Sequence, residues 1–116
     1  MPRHVPRSID ATAVIGGRGP DALHAVAFAL HGEGRAWHAP RRAVAGGDAY
    51  PIADLRASID GRRLCETGFV VLDAAAFRRF ARTGAALVLE GRRRGVTARV
   101  PAARFGEALA RAAAFA

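Results

Sequence analysis

Three side chains are missing from this chain altogether: it contains no Lys, no Asn and no Gln. Cysteine, tryptophan, tyrosine and methionine occur once each. The lone Cys65 excludes an intrachain disulfide and a cysteine-based metal cluster, and it says little about compartment. No apolar run approaches the roughly 20 residues that a membrane-spanning helix needs. The longest, Ala22 to Leu30, is too short and carries His24. A secretory leader is not recognisable either. Arg3 and Arg7 imitate a basic start, but Ser8 to Ile15 is interrupted by Asp10 and runs into Gly16 and Gly17. Read as written the chain is cytoplasmic; it is periplasmic or secreted if a leader was removed.

What is present is mostly alanine and arginine. All 18 basic residues are Arg, the formal net charge is +8, and roughly a quarter of the 116 residues are Ala. A strongly basic chain points to an anionic partner. However, selection for a polyanion has no reason to exclude Lys, which also binds phosphate. The Arg-only pattern fits the codon bias of a GC-rich genome, so the charge is a weak witness to function. The hydrophobic share, 51%, is that of an ordinary globular protein, and the length is that of one domain with one core. Residues 1–8, with Pro2 and Pro6, read as a flexible N-terminal arm ahead of a single α+β domain over 9–116.

Local signals set out most of that domain. Ile9 to Ile15 is β-like and ends in a Gly/Pro turn from Gly16 to Pro20. Ala39 to Tyr50 reads as a long loop. Asp60-Gly61 is a favoured two-residue hairpin turn, which sets Ile59 opposite Arg62, Ala57 opposite Leu64 and Leu55 opposite Glu66. The mixed face that results places this hairpin near a sheet edge. Phe69 to Leu72 continues the strand, and Asp73 caps a helix over Ala74 to Arg82 that presents Phe77, Phe80 and Ala81 on one side. Thr83-Gly84 ends that helix. Ala85 to Glu90 and Val96 to Val100 are antiparallel strands around the Gly91 to Gly95 turn. Pro101 then opens a last helix with Phe105, Leu109 and Ala112 on one face, and Glu107 within reach of Arg104 and Arg111. The fold class is therefore α+β, a small antiparallel sheet or sandwich-like domain with two short helices, in the order β-β-α-β-β-α from residue 55.

Ala22 to Leu30 stays open between two readings. As a helix it is capped by Asp21 and presents Leu23, Val26, Ala27 and Leu30. As a strand it faces the core with Val26, Phe28 and Leu30, His31 to Gly34 forms a hairpin loop, and Trp37 falls opposite Phe28.

Four constellations invite chemistry. Ala13 to Leu23 resembles the opening of a dinucleotide-binding unit, with Gly17-x-Gly19-x-x-Ala22 before an apolar stretch. Against it, Asp21 stands where phosphate would lie, no acidic residue closes a second strand, and no Lys makes a P-loop. His24, His31 and His38 recur every seven residues, but neither reading of the segment brings them together on one ion, so no metal is expected. Cys65 shares a strand face with Arg56 and Arg63; an enzyme would need a pocket joining it to a histidine, and no close acid pair supports general acid–base work. Finally, the arginines group at hairpin ends. Arg62 and Arg63 at one, with Arg92, Arg93 and Arg94 at the other, form a possible anion-binding set. The phenylalanines are not interleaved with them as stacking platforms, which leaves a solvated surface as the plainer reading.

From Ile59 onward the chain resembles the invasion-associated locus B family, small secreted or periplasmic proteins of alphaproteobacteria. The shared rhythm is Ile59-Asp60-Gly61, Val70-Val71-Leu72-Asp73, a short helix ending at Thr83-Gly84, Ala85 with Leu87-Val88-Leu89, and Val100-Pro101 before Phe105, Ala108 and Leu109. The family's paired cysteines and its N-terminal Trp-x-x-x-Cys region have no counterpart here. The resemblance implies a mostly β, sandwich-like domain without catalysis and with a protein or envelope partner. The expectation is thus a non-catalytic binding or interaction domain without a cofactor and with a protein as partner. The alternative is an anionic-ligand binder, using nucleic acid at the Arg groups or a nucleotide phosphate at Gly16 to Gly19.

Overall fold

The structure is a computed structural model that describes residues 8–33, 37–92 and 95–114. Among these residues the chain forms seven strands and two helices. The strands are β1 Ser8–Gly16, β2 Leu23–Glu33, β3 Arg42–Ala45, β4 Asp48–Asp60, β5 Arg63–Leu72, β6 Ala85–Glu90 and β7 Val96–Val100; the helices are α1 Ala74–Thr83 and α2 Ala102–Ala114. Every strand pairing is antiparallel, in the order β1-β2-β5-β4-β3-β6-β7. β1 and β7 approach one another, so the sheet is nearly closed and barrel-like rather than a pair of facing sheets. The α+β class and the order of elements from β4 onward agree with the sequence reading.

β2 is a strand, and it is flanked on both sides. Phe28 faces Ala11 of β1 and Gly68 of β5. Alanine-rich local propensity favours helix here, but two complete ladders outweigh a preference worth tenths of a kcal/mol per residue. The strand also runs through His31 and Gly32 to Glu33, so the expected hairpin loop is not formed there and Trp37 lies in an irregular segment instead of opposite Phe28. Gly34 lies outside the described residues, as do residues 1–7 of the expected N-terminal arm.

Two further expectations are corrected. The loop read over Ala39 to Tyr50 contains β3 and the start of β4, joined by Gly46 (φ 58°) and Gly47 (φ 86°) between the paired Ala45 and Asp48. Two successive positive φ angles are what a type I′ hairpin demands. At the next hairpin the pairs are Asp60 with Arg63, Ile59 with Leu64 and Ala57 with Glu66, so the loop is Gly61-Arg62 rather than Asp60-Gly61. Gly61 has φ 62° and Arg62 is not in the left-handed region, the pattern of a turn with glycine at its first central position. Although β5 and β4 stand third and fourth in the seven-strand order, this hairpin lies at a local edge, because β3 pairs with β4 only as far as Pro51. Its mixed face arises because Ile52 to Asp60 continues beyond the last β3 partner of β4, Pro51, as an arm. A bulge bends that arm where Asp54 and Leu55 together stand against Gly68. The molecule measures 50 × 28 × 21 Å, and Leu55 and Ile59 on the arm are exposed.

The core is drawn from alternate residues of the strands and from the two helices. Val26, Phe28, Leu30, Val70, Leu72, Leu87, Leu89 and Val100 are buried together with Phe77, Phe80 and Phe105. Phe77 and Phe105 meet edge to face at 5.0 Å and Phe80 lies 5.6 Å from Phe105, tying α1 to α2. Asp73 caps α1 by accepting from the Ala76 N–H at 2.7 Å, and the Gly84 N–H donates to the Phe80 carbonyl at 2.7 Å, as the capping residues imply. No helix among the described residues is long and apolar enough to cross a membrane.

Candidate ligand cleft

A concavity of about 760 Å³ lies where the β1–β2 connection meets the two helices. Its shape follows from local chemistry. Gly17 and Gly19 have φ 83° and 67°, and Pro20 opens a single tight turn closed by the Ala22 N–H on the Gly19 carbonyl at 3.1 Å. This connection joins two antiparallel strands. The helix N-terminus that a dinucleotide pyrophosphate needs is therefore not formed at Gly16 to Gly19. The turn instead carries Arg18 to the rim of the cleft.

The opposite walls are helical. On α1, Ala74 and Arg78 stand one turn apart and both line the space. On α2 only Phe105 is fully buried. The apolar face continues as Ala108, Leu109 and Ala112, which are half-buried and open into the cleft beside Arg111. Ala13 and Ile15 of β1 form the floor, and His24 of β2 rests edge-on against Phe77 at 5.3 Å. No Asp or Glu among the described residues lines the cleft. Asp73 is engaged by its cap and Glu107 by Arg104 at 3.6 Å. Among the described residues, Arg18, Arg78 and Arg111 pair with no carboxylate. Three arginines from three separate elements thus line one largely apolar-walled space.

The residues singled out in the sequence are distributed elsewhere. Arg62 and Arg63 sit at the tip of the β4–β5 arm, and Arg92 follows β6, whose Glu90 is level with Arg42 and Pro51 through the β3 ladders. The arm places the two groups on the order of 30 Å apart along the strands, at about 3.3 Å per residue. Arg93 and Arg94 lie outside the described residues. The histidines do not converge: His24 faces inward near one end of β2, His31 faces outward near the other, and His38 is buried in the segment that follows. No group of three or more metal-ligating side chains is present among the described residues.

Cys65 is half-buried and directly opposite His31 in the β2–β5 ladder, while His31 Nε2 lies 3.3 Å from Asp10 Oδ2. Cys65 and His31 also line a smaller hollow of about 370 Å³ with Ser58 and Arg63. The pairing that an enzymatic reading needs is therefore present, on the open face of the sheet.

Sequence reasoning missed two features. The buried Glu66 carboxylate accepts the backbone N–H groups of His38 at 3.0 Å and Ala39 at 2.7 Å, fastening the irregular segment across the sheet. The His38 ring anchors the same segment by donating from Nε2 to the Leu89 carbonyl at 2.8 Å. The cleft arginines were the second omission; the one local hint is that small residues flank Arg18 and Arg111, whereas Arg78 stands between Phe77 and Arg79. Comparison of the chain with protein-family models, with curated proteins and with solved structures finds no match.

Proposed function

We propose that this chain is a non-catalytic binding domain that takes a small ligand into the cleft between the β1–β2 connection, α1 and α2. The observation that carries this reading is the apolar face of α2. It is buried at Phe105, and Ala108 and Leu109, which pack against the core and are only half-buried, line the open cleft together with Ala112. A helix face of that kind normally has something to cover it. The volume falls within the roughly 300–1,000 Å³ typical of small-molecule sites, and its lining of hydrocarbon with a few convergent polar groups is the usual composition of such sites. The resemblance to the invasion-associated locus B family points the same way, because it implies a domain without catalysis. The separation of Arg62 and Arg63 from Arg92 favours the cleft over a shared polyanion surface.

Titration of a fragment library, followed by amide NMR shifts, tests the reading. Binders are expected to move Gly17, Gly19 and the amides of Ala108 to Ala113 together, and Ala112→Trp, which fills the cleft, is expected to abolish those shifts. Binders that move only the arm, or that ignore Ala112→Trp, would refute it.

A further inference from the structure

We infer that the ligand of this cleft is an amphipathic anion: a hydrocarbon body bearing one carboxylate, sulfate or phosphate head. The inference rests on the proposed binding role and adds the chemistry of what is bound. Arg18 comes from a turn, Arg78 from α1 and Arg111 from α2, and all three line the same space with no carboxylate among its described lining residues. An anion seated in the cleft would be attracted by all three charges at once. Guanidinium forks match carboxylate and phosphate oxygens in pairs.

The head alone would not account for the site. Ala13, Ile15, Ala108, Leu109 and Ala112 offer only hydrocarbon, and the volume far exceeds one inorganic anion. A nucleotide fits less well. Phe77, the aromatic ring nearest His24, is fully buried and has no face to give to a base. The stretch of α2 from Ala108 to Ala113 runs about 8 Å at 1.5 Å per residue, which suits an alkyl chain of medium length.

The test uses the full chain and four probes below their aggregation limits: decanoate, decyl phosphate, decanol and inorganic phosphate. Calorimetry gives affinities and amide NMR gives the site. Decanoate or decyl phosphate is expected to bind in the cleft at least tenfold more tightly than decanol, and whichever binds better identifies the head. Arg78→Gln combined with Arg111→Gln is expected to weaken that binding tenfold or more, consistent with lost hydrogen bonds to a charged group. Both arginines are exposed, so the variant should keep its dispersed spectrum. If decanol binds the cleft as tightly as decanoate and the double variant changes nothing, the anionic assignment is overturned while the binding role stands. If inorganic phosphate binds there as tightly as decyl phosphate, the hydrocarbon body is overturned. If no probe shifts the cleft amides, or Ala112→Trp leaves the binding intact, both the assignment and the binding role fall.

Discussion

Glu66 offers the most exacting test of how this fold is held. The residue is 6% exposed, its carboxylate accepts two backbone N–H groups, from His38 at 3.0 Å and Ala39 at 2.7 Å, and no cation among the described residues pairs with it. Replacing a buried ion pair by apolar residues is often neutral, because both partners leave together. Here the partners are main-chain donors, and no side-chain substitution can remove them. Glu66→Leu should strand two donors at about 1–3 kcal/mol each, partly offset by relief of the carboxylate's own desolvation. A net loss of about 2–4 kcal/mol is expected, and Glu66→Gln, which keeps one acceptor, should lose about half of that. For a chain of this size, that is a fall in melting temperature on the order of 10 °C. Urea unfolding with a fitted slope measures it. A second variant makes the test specific to the segment. A Cβ on Gly91 would lie 2.3 Å from the His38 carbonyl oxygen and 2.7 Å from that of Ala39, so Gly91→Ala should displace the same stretch. Combined with Glu66→Leu its cost should be clearly less than additive, since a detached segment cannot be detached twice. Glu66→Leu within about 0.5 kcal/mol of the parent, at unchanged slope, would refute the argument.

Two further outcomes follow from packing and capping. Phe77→Ala, which removes a fully buried ring touching His24 and Phe105, should cost about 3–5 kcal/mol by denaturant unfolding. Asp73→Ala should cost about 1 kcal/mol by the same measurement, with Asp73→Ser recovering most of it because its hydroxyl can also accept from the Ala76 N–H.

The parts of this fold legible in the sequence were those decided within a few residues. Asp73 and Gly84 mark α1 because caps act over three or four positions, and Phe105 marks the inner face of α2 for a similar reason. Ala22 to Leu30 stayed ambiguous because its state depends on β5, a strand some forty residues later, which no local window contains. Glu66 has the parity of Leu64 and Val70, so its inward position was readable, yet its partners lie 27 and 28 residues away and are anonymous backbone. The turn at Gly61 misled because Asp-Gly suits one hairpin type, while pairing farther along the strands selected another register. The cleft was least accessible of all. Arg18, Arg78 and Arg111 look like any other arginines until three elements bring them to one place.

The near-closure of the sheet between β1 and β7 has a bearing on how the chain reaches its native state. The local hairpins, β1 with β2, β3 with β4, β4 with β5 and β6 with β7, can each form early. Joining them requires β2 to find β5 and β3 to find β6, across intervening segments that must first be ordered. The seam between the first and last strands forms only once those are in place, and α2, which packs on β1, is then the latch. Until the latch engages, β1 presents an unpaired edge to any other chain in solution. Slow refolding and concentration-dependent aggregation during it are the behaviour this topology implies, and shortening α2 should worsen the second more than the first.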